Sequence, residues 1–350
     1  MTILYAFGSN GNGQLGVGHT DDINTPTPCI GIPDTETIVK VVGGGNHTAV
    51  LTQTGRVFLA GQWHTSNDMT TTTFIEPECV QGRQWQDVAC GWSFTILIER
   101  ESGLAYGFGT ARSGELGSMT KDPGLVAINT VPPLAMVDCG WRHVVGLGRD
   151  DGCVYGWGWD RHGQLLKRIN VKPHIQQPNA LLSANSTPSK IRQITCGHLF
   201  TALLTEDGTV YGFGSNKYAQ LGDIEQQHQG DDLIKIDKGV SFISTGWHHI
   251  AMAKPDSDGH GLVSIHNKGR NDHGQMAGQD HSMQVDHFVC GSEHMLALKQ
   301  GKVFAWGWNE HGNCTSTQED VLQPIEVQLP KQGTVTIIGA GCATSWIGLA

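Results

Sequence analysis

The chain has 350 residues, 33 acidic against 23 basic side chains, a net charge of −10, and 47 glycines. The acidic balance, with no basic run, argues against a DNA or membrane-phosphate footprint as the main business of the protein. The nine cysteines, with no signal peptide, point to a reducing compartment, and no stretch is long and apolar enough for a membrane-spanning helix.

In chain order, the first predicted strand is Leu4-Tyr5-Ala6-Phe7-Gly8, followed by the loop Ser9-Asn10-Gly11-Asn12-Gly13-Gln14-Leu15-Gly16. A second phrase follows at Gly44-Gly45-Asn46-His47, where a turn leads into an apolar strand. Both phrases recur. The strand-ending glycine falls at Gly8, Gly61, Gly109, Gly158, Gly214, Gly269 and Gly307, and the turn glycine at Gly44, Gly91, Gly140, Gly197, Gly246, Gly291 and Gly341. Two markers, each seven times at about fifty residues, with short strands and glycine turns, predict radial repetition of small sheets. The fold class expected is all-β, a single seven-bladed β-propeller over residues 1–350. The N-terminus supplies the second half of a repeat, and the C-terminal Gly341-Cys342-Ala343-Thr344-Ser345-Trp346 the first half. Neither half can satisfy its strand edges alone, so their pairing is expected to close the ring.

Close copies of the first loop occur at Phe108 to Gly117 and at Phe213 to Gly222, with a fourth at Trp157 to Leu165 and a weaker fifth at Gly269 to Met276. The copies after Gly61 and Gly307 lack the Gln-Leu-Gly ending. Hairpin chemistry stands at Thr54-Gly55, Asp150-Asp151-Gly152, Glu206-Asp207-Gly208 and Gln300-Gly301. Lys167 to Lys190, with three prolines, reads as an exposed loop, and 223–238 and 254–261 read as polar excursions. No segment reads as a long helix, and the sequons at Asn46, Asn185 and Asn313 are taken as chance.

These residues resemble the regulator-of-chromosome-condensation repeat family, whose pattern is a Gly-x-x-His turn followed by Gly-x-Val-Tyr-x-Trp-Gly-x-Asn-x-x-Gly-Gln-Leu-Gly. Gly208 to Gly222 fits almost letter for letter, and the likeness runs the length of the chain. The opening Tyr5 to Asn10, with Gln14-Leu15-Gly16, Gly18-His19, Asp22 and Thr25-Pro26, is similar to a fungal branch of that family, the alpha-tubulin-suppressor or killer-toxin-insensitivity propellers. That likeness implies a heterodimer with a small zinc-binding, electron-carrying protein of diphthamide synthesis. It also implies support of the Elongator complex in wobble-uridine modification of tRNA. A cytoplasmic place with a nuclear fraction goes with it. Another branch exchanges guanine nucleotides on the small GTPase Ran and binds chromatin. This chain is acidic, has no basic N-terminal tail and no evident wedge insertion, which weighs against that activity.

Gly11 to Gly16 matches G-x-G-x-x-G, but a dinucleotide site needs that motif to open a helix, and here it belongs to a recurring β-repeat. Cys90, Cys139, Cys196 and Cys290 all precede the turn glycine; they are read as small buried apolar residues in preference to a metal trap, since no Cys-x-x-Cys pair exists. His47, His143, His249 and His294 share the third place after that glycine, where Phe94, Phe200 and Thr344 stand in other repeats. A set that accepts Phe is structural, so these histidines are expected to hydrogen-bond between blades. The turn residues between are the candidate partner-binding set: Trp92, Trp141, Arg142, His198, Trp247, His248 and Glu293. Large aromatics and arginine are enriched at interface centres; the bland alternative is that each Trp folds back on its neighbouring blade. Trp63, Trp159 and Trp308 are weaker candidates. With no nucleophile–base signature, metal motif or phosphate loop, a non-enzymatic adaptor without cofactor or metal is the leading expectation. A guanine-nucleotide exchange factor is the alternative, and a redox or metal enzyme using the cysteine tier is a weaker third.

Overall fold

The computed structural model describes residues 2–63, 70–117, 124–166, 174–223, 233–255, 261–277 and 283–350, with the side chains of 174–177 left aside. The described strands form seven four-stranded antiparallel sheets. Blade one spans residues 38–75, blade two 85–127, blade three 134–182, blade four 191–237, blade five 242–285 and blade six 287–326. Blade seven is assembled from both ends: strands Val335–Ala340 and Thr344–Leu349 pair with Ile3–Gly8 and Ile23–Pro28. The closing seam runs antiparallel from Ile3↔Leu349 to Gly8↔Thr344, and the expected closure is found.

Local chemistry explains the repeat. Two central hairpin residues at positive φ match the right-handed strand twist; Gln300 (φ 51°) and Gly301 (φ 76°) provide them between the paired Lys299 and Lys302. Every strand-ending glycine also has positive φ, from 89° at Gly61 to 123° at Gly269. The next residue's N–H then reaches the carbonyl just before the histidine position, as in Trp159 to Arg142 (2.8 Å) and Arg270 to His248 (3.0 Å). This bond ties the loop after the third strand to the turn after the first, so both lie on one face of the ring.

The hydrophobic core is a set of clusters between neighbouring blades. Ala49, Leu59, Trp85 and Leu97 join blades one and two; Leu4, Val41, Phe58 and Trp346 join blades seven and one. Burying each Leu or Phe is worth ~1.5–3 kcal/mol, so a chain end that supplies Leu4, Phe7, Ile347 and Leu349 fastens the ring by packing as well as by backbone pairing.

Two readings need revision. Lys167–Lys190 is not simply a loop: His174–Leu182 is the outer strand of blade three, and Pro178 is accommodated where the register against Tyr155–Trp159 shifts. Ile234–Asp237 is likewise the outer strand of blade four. The rest of those excursions lies largely outside the described residues. The last repeat keeps the loop although the Gln-Leu-Gly letters are gone. Asn313 and the buried Cys314 occupy the places of Gln and Leu, and Cys314 N–H donates to Asn309 Oδ1 (2.7 Å) as Leu15 N–H does to Asn10 Oδ1 (3.0 Å). The only helix among the described residues is the single 3-10 turn Glu78–Val80. No helix follows Gly11–Gly16, so this motif offers no helix N-terminus to a dinucleotide.

Candidate functional site

The innermost strands surround a central channel of about 510 Å³. At one end the seven turns converge, and six of the seven junctions carry a backbone bond from one turn to the next: Gly45 N–H to Trp92 O (2.9 Å), then Trp92 to Trp141 (3.0 Å), Trp141 to His198 (3.4 Å), His198 to Trp247 (3.0 Å), Trp247 to Ser292 (2.8 Å) and Ser292 to Gly341 (2.9 Å). This girdle fixes where the turn side chains emerge.

They emerge together. Trp141 stacks on His198 with centroids 4.8 Å apart, His198 lies 5.2 Å from Trp247, and Trp247 meets Trp92 at 5.9 Å. Because Trp92 belongs to blade two and Trp247 to blade five, this last pair reaches across the mouth of the channel. Arg142 lies over the Trp141 ring at 4.5 Å. Six of the seven expected partner-binding residues are thus half-buried or exposed members of one cap, and Trp92 is 37% exposed. The rings rest largely on one another, which is how three tryptophans are kept on an exterior turn at low cost.

Glu293 is different. It is 5% exposed, so it is not placed as a contact residue. Its carboxylate accepts from His248 Nδ1 (2.6 Å), Gln275 Nε2 (2.7 Å) and Arg270 (3.4 Å). Burial alone would raise its pKa, but the His248 bond and the cationic neighbours outweigh burial and lower it. Glu293 therefore stays charged and holds His248 and Arg270 in place. Burial, reinforced by the neighbouring His248 ring, pushes the His198 imidazole down to about 4, so this ring is neutral at pH 7.

Residues from the second loop set extend the cap and were missed or undervalued in the sequence. Trp159 packs edge-on against Trp141 (5.4 Å), Tyr218 against His248 (5.0 Å), and Arg270 lies over Tyr218 at 5.6 Å. The signal was the strand-ending glycine, whose bond to the turn makes the two loops neighbours. Trp308 is half-buried beside His311 (5.5 Å), away from these rings. Trp63 is buried.

One layer beneath, His47, His143 and His294 make the expected hydrogen bonds between blades, whereas the buried His249 does not: neither of its ring nitrogens has a hydrogen-bond partner among the described residues, because its counterpart on the next blade is the apolar Met295. His143 Nε2 meets Thr201 Oγ1 of the next blade (3.2 Å), and that hydroxyl donates its own proton to the Gln164 carbonyl (2.9 Å), so the imidazole must be the donor. His294 with Ser345 (3.0 Å) and Asn313 O (2.7 Å) repeats the arrangement, and His47 meets Thr95 at 2.9 Å. Burial lowers the pKa of His47 and His249 to about 4 and that of His143 and His294 to about 3. The cysteine tier lines the channel; burial raises Cys90 and Cys290 to about 12 and Cys139 and Cys196 well above their ordinary value, so all four remain thiols at neutral pH. Among the described residues no group of three or more His, Cys, Asp or Glu is placed to hold a metal ion.

A closed seven-bladed ring with tied turns and a side-chain cap on one face defines a repeat β-propeller. The chain belongs to the RCC1-like domain family, whose profile matches residues 3–347. It is similar to the mouse secretion-regulating guanine nucleotide exchange factor, 28% identical over 98% of this chain and 82% of that protein. It is also similar to an RCC1 repeat-containing protein of Schizosaccharomyces pombe, 27% identical over 99% of this chain and 98% of that one. Among solved structures, Prp20p from Saccharomyces cerevisiae superposes with a TM-score of 0.82 at 18% identity, covering 100% of this chain and 91% of that one. Human WBSCR16 superposes at 0.78 and 17% identity, covering 100% and 99%. These superpositions speak for the fold.

Proposed function

We propose that this propeller is a non-catalytic docking scaffold that receives a partner protein on its aromatic face. One observation carries the reading: Trp92, Trp141, His198 and Trp247 gather over the channel mouth, with Arg142 against them, on a framework tied blade to blade. Rigid aromatic surface of this kind costs little entropy to present and is enriched where binding energy concentrates. The partner favoured is the small zinc-binding electron carrier implied by the likeness of the Tyr5–Pro26 stretch to the fungal branch. On this reading the pair serves Elongator-dependent wobble-uridine modification and diphthamide synthesis in the cytoplasm, with a nuclear fraction.

The test is co-purification of the two proteins and its loss in Trp141→Ala with Trp247→Ala. The double variant is expected to keep its thermal unfolding profile and to weaken capture by about tenfold or more. Normal capture by the variant would move the working surface elsewhere. A second reading, nucleotide exchange on a Ran-type small GTPase, is favoured by one observation: a relative aligned over nearly the whole chain is named as an exchange factor. Accelerated release of labelled GDP from Ran by the purified propeller would establish it in place of the scaffold.

A further inference from the structure

The face that bears the aromatic cap is electrically lopsided. The third residue after the strand-ending glycine is Arg112 in blade two, Arg161 in blade three and Lys217 in blade four; in blades five, six and seven it is Asp272, Glu310 and Gly11. The backbone bonds Thr110 N–H to Ser93 O, Trp159 to Arg142 O and Ser215 to Leu199 O (each 2.8 Å) place the three cationic loops beside the turn girdle. Arg112, Arg161 and Lys217 are exposed, and among the described residues none of them makes an ion pair. Arg142 adds a fourth cation over Trp141.

Two carboxylates close to these cations in the loops of blades two and three are turned inward, while Asp223, at the far end of the blade-four loop, is exposed. Glu115 is 2% exposed and accepts from Ser113 N–H (2.5 Å); Asp160 is 7% exposed and accepts from Leu165 N–H (2.9 Å). Their oxygens are taken up by loop N–H groups while the cations face outward. In blade five the order is reversed: Arg270 is held by Asp272 and Glu293, which leaves it little net charge to offer. A positive arc therefore borders the cap over blades two to four, on a chain whose net charge is −10. The other half of the same face carries Glu310, also exposed.

Resting on the docking-scaffold reading, we propose that this half of the face binds an acidic protein segment with an apolar or aromatic anchor. The acidic residues would meet Arg112, Arg142, Arg161 and Lys217, and the anchor would pack on the exposed Trp92 edge of the cap. Complementary charge fixes partner orientation and association rate, and the buried aromatic contact supplies residence time. A protein segment fits better than nucleic acid. Strand binding uses open aromatic faces for successive bases, whereas these rings are packed against one another, one pair stacked and the others tilted or edge-on. A polyanion crossing the face would meet the acidic half and the overall negative field.

Fluorescence anisotropy of the full chain tests this with a labelled peptide of about a dozen residues alternating Asp and Glu with Phe and Leu. The same peptide with Lys in place of its acids, and an oligouridylate RNA of equal length, serve as competitors. The acidic peptide is expected to bind, more weakly as salt rises, and Arg161→Glu with Lys217→Glu is expected to weaken it by about tenfold or more. Lys238→Glu, on the opposite rim beyond the outer strand of blade four, is expected to leave it unchanged. No binding of the acidic peptide, equal binding to the double variant, or preference for the basic peptide or the RNA would overturn the assignment. If the zinc-binding protein binds wild type and double variant alike, the arc is not its contact and the scaffold reading survives alone. If the acidic peptide behaves as expected while the zinc-binding protein does not bind, the arc stands and that partner falls.

Discussion

Two layers of the same turn, one or two residues apart in sequence, meet opposite fates. At Trp92, Trp141, His198 and Trp247 the side chain leaves the girdle and joins a shared outer surface. At His47, His143, His249 and His294 it turns inward and is fully buried between blades. The inner layer follows a pairing rule. His47, His143 and His294 each find a hydroxyl one blade on, at Thr95, Thr201 and Ser345. Where Phe94 and Phe200 fill the position, the equivalent residue of the next blade is the apolar Val144 or Ile250. Two positions depart from the rule: His249, whose counterpart is Met295 and neither of whose ring nitrogens has a hydrogen-bond partner among the described residues, and Thr344, whose counterpart is Thr48 and whose buried hydroxyl is likewise without one. Constancy in the inner layer is thus about matching polarity across a seam. The outer layer has no such seam to match and varies freely, which leaves it available for recognition.

The largest expected effect comes from charging the inner layer. Unfolded imidazoles titrate near 6.5, while burial holds the four inner ones at about 3 to 4. Between those values the unfolded chain binds more protons than the folded one. Stability is therefore complete above about pH 6.5 and is lost as pH falls, at up to ~1.4 kcal/mol per unit for each histidine. Thermal unfolding followed from pH 7.5 to 4 should show a steep fall in Tm beginning below about 6.5; a flat profile would mean these rings are not held neutral.

Next in size is Gly140→Ala. A Cβ there would run into the His143 ring and the Gly197 carbonyl of the next blade, and the carbonyl cannot move without shifting the girdle. This close approach explains the fixed Gly-x-x-His spacing, and overpacking it should cost about 3 kcal/mol in chemical denaturation. Unchanged stability would show that the seam has slack.

The smallest effects give the sharpest comparison, because one substitution should act with opposite sign at two equivalent places. His143→Phe removes the donor to Thr201 and should destabilise by about 1–2 kcal/mol. His249→Phe removes a buried ring with no partner and should stabilise by about 1 kcal/mol, since Phe94 and Phe200 already fill the same site against Gly91 and Gly197. Equal signs for the two would break the pairing rule.

The sequence by itself determined the blade number, the shared closing blade, the inward hydrogen-bonding role of His47, His143 and His294, and the place of the cysteine tier on the innermost strands. Each rests on a local rule repeated seven times, so turn conformation, glycine spacing and strand alternation are visible in every copy. Sequence pattern hid the outer strand His174–Leu182, because prolines and polar residues on an edge strand look like those of a loop. It also hid how Asn313 and Cys314 keep a loop whose letters have changed. Only the tertiary structure decided that Glu293 is buried while Trp92 is exposed, that Trp92 and Trp247 meet across the channel, and that Trp159, Tyr218 and Arg270 join them. The physical reason is ring closure: residues far apart along the chain become neighbours when the seven turns converge on one axis, and no local period reports how side chains from different blades divide the space over that axis.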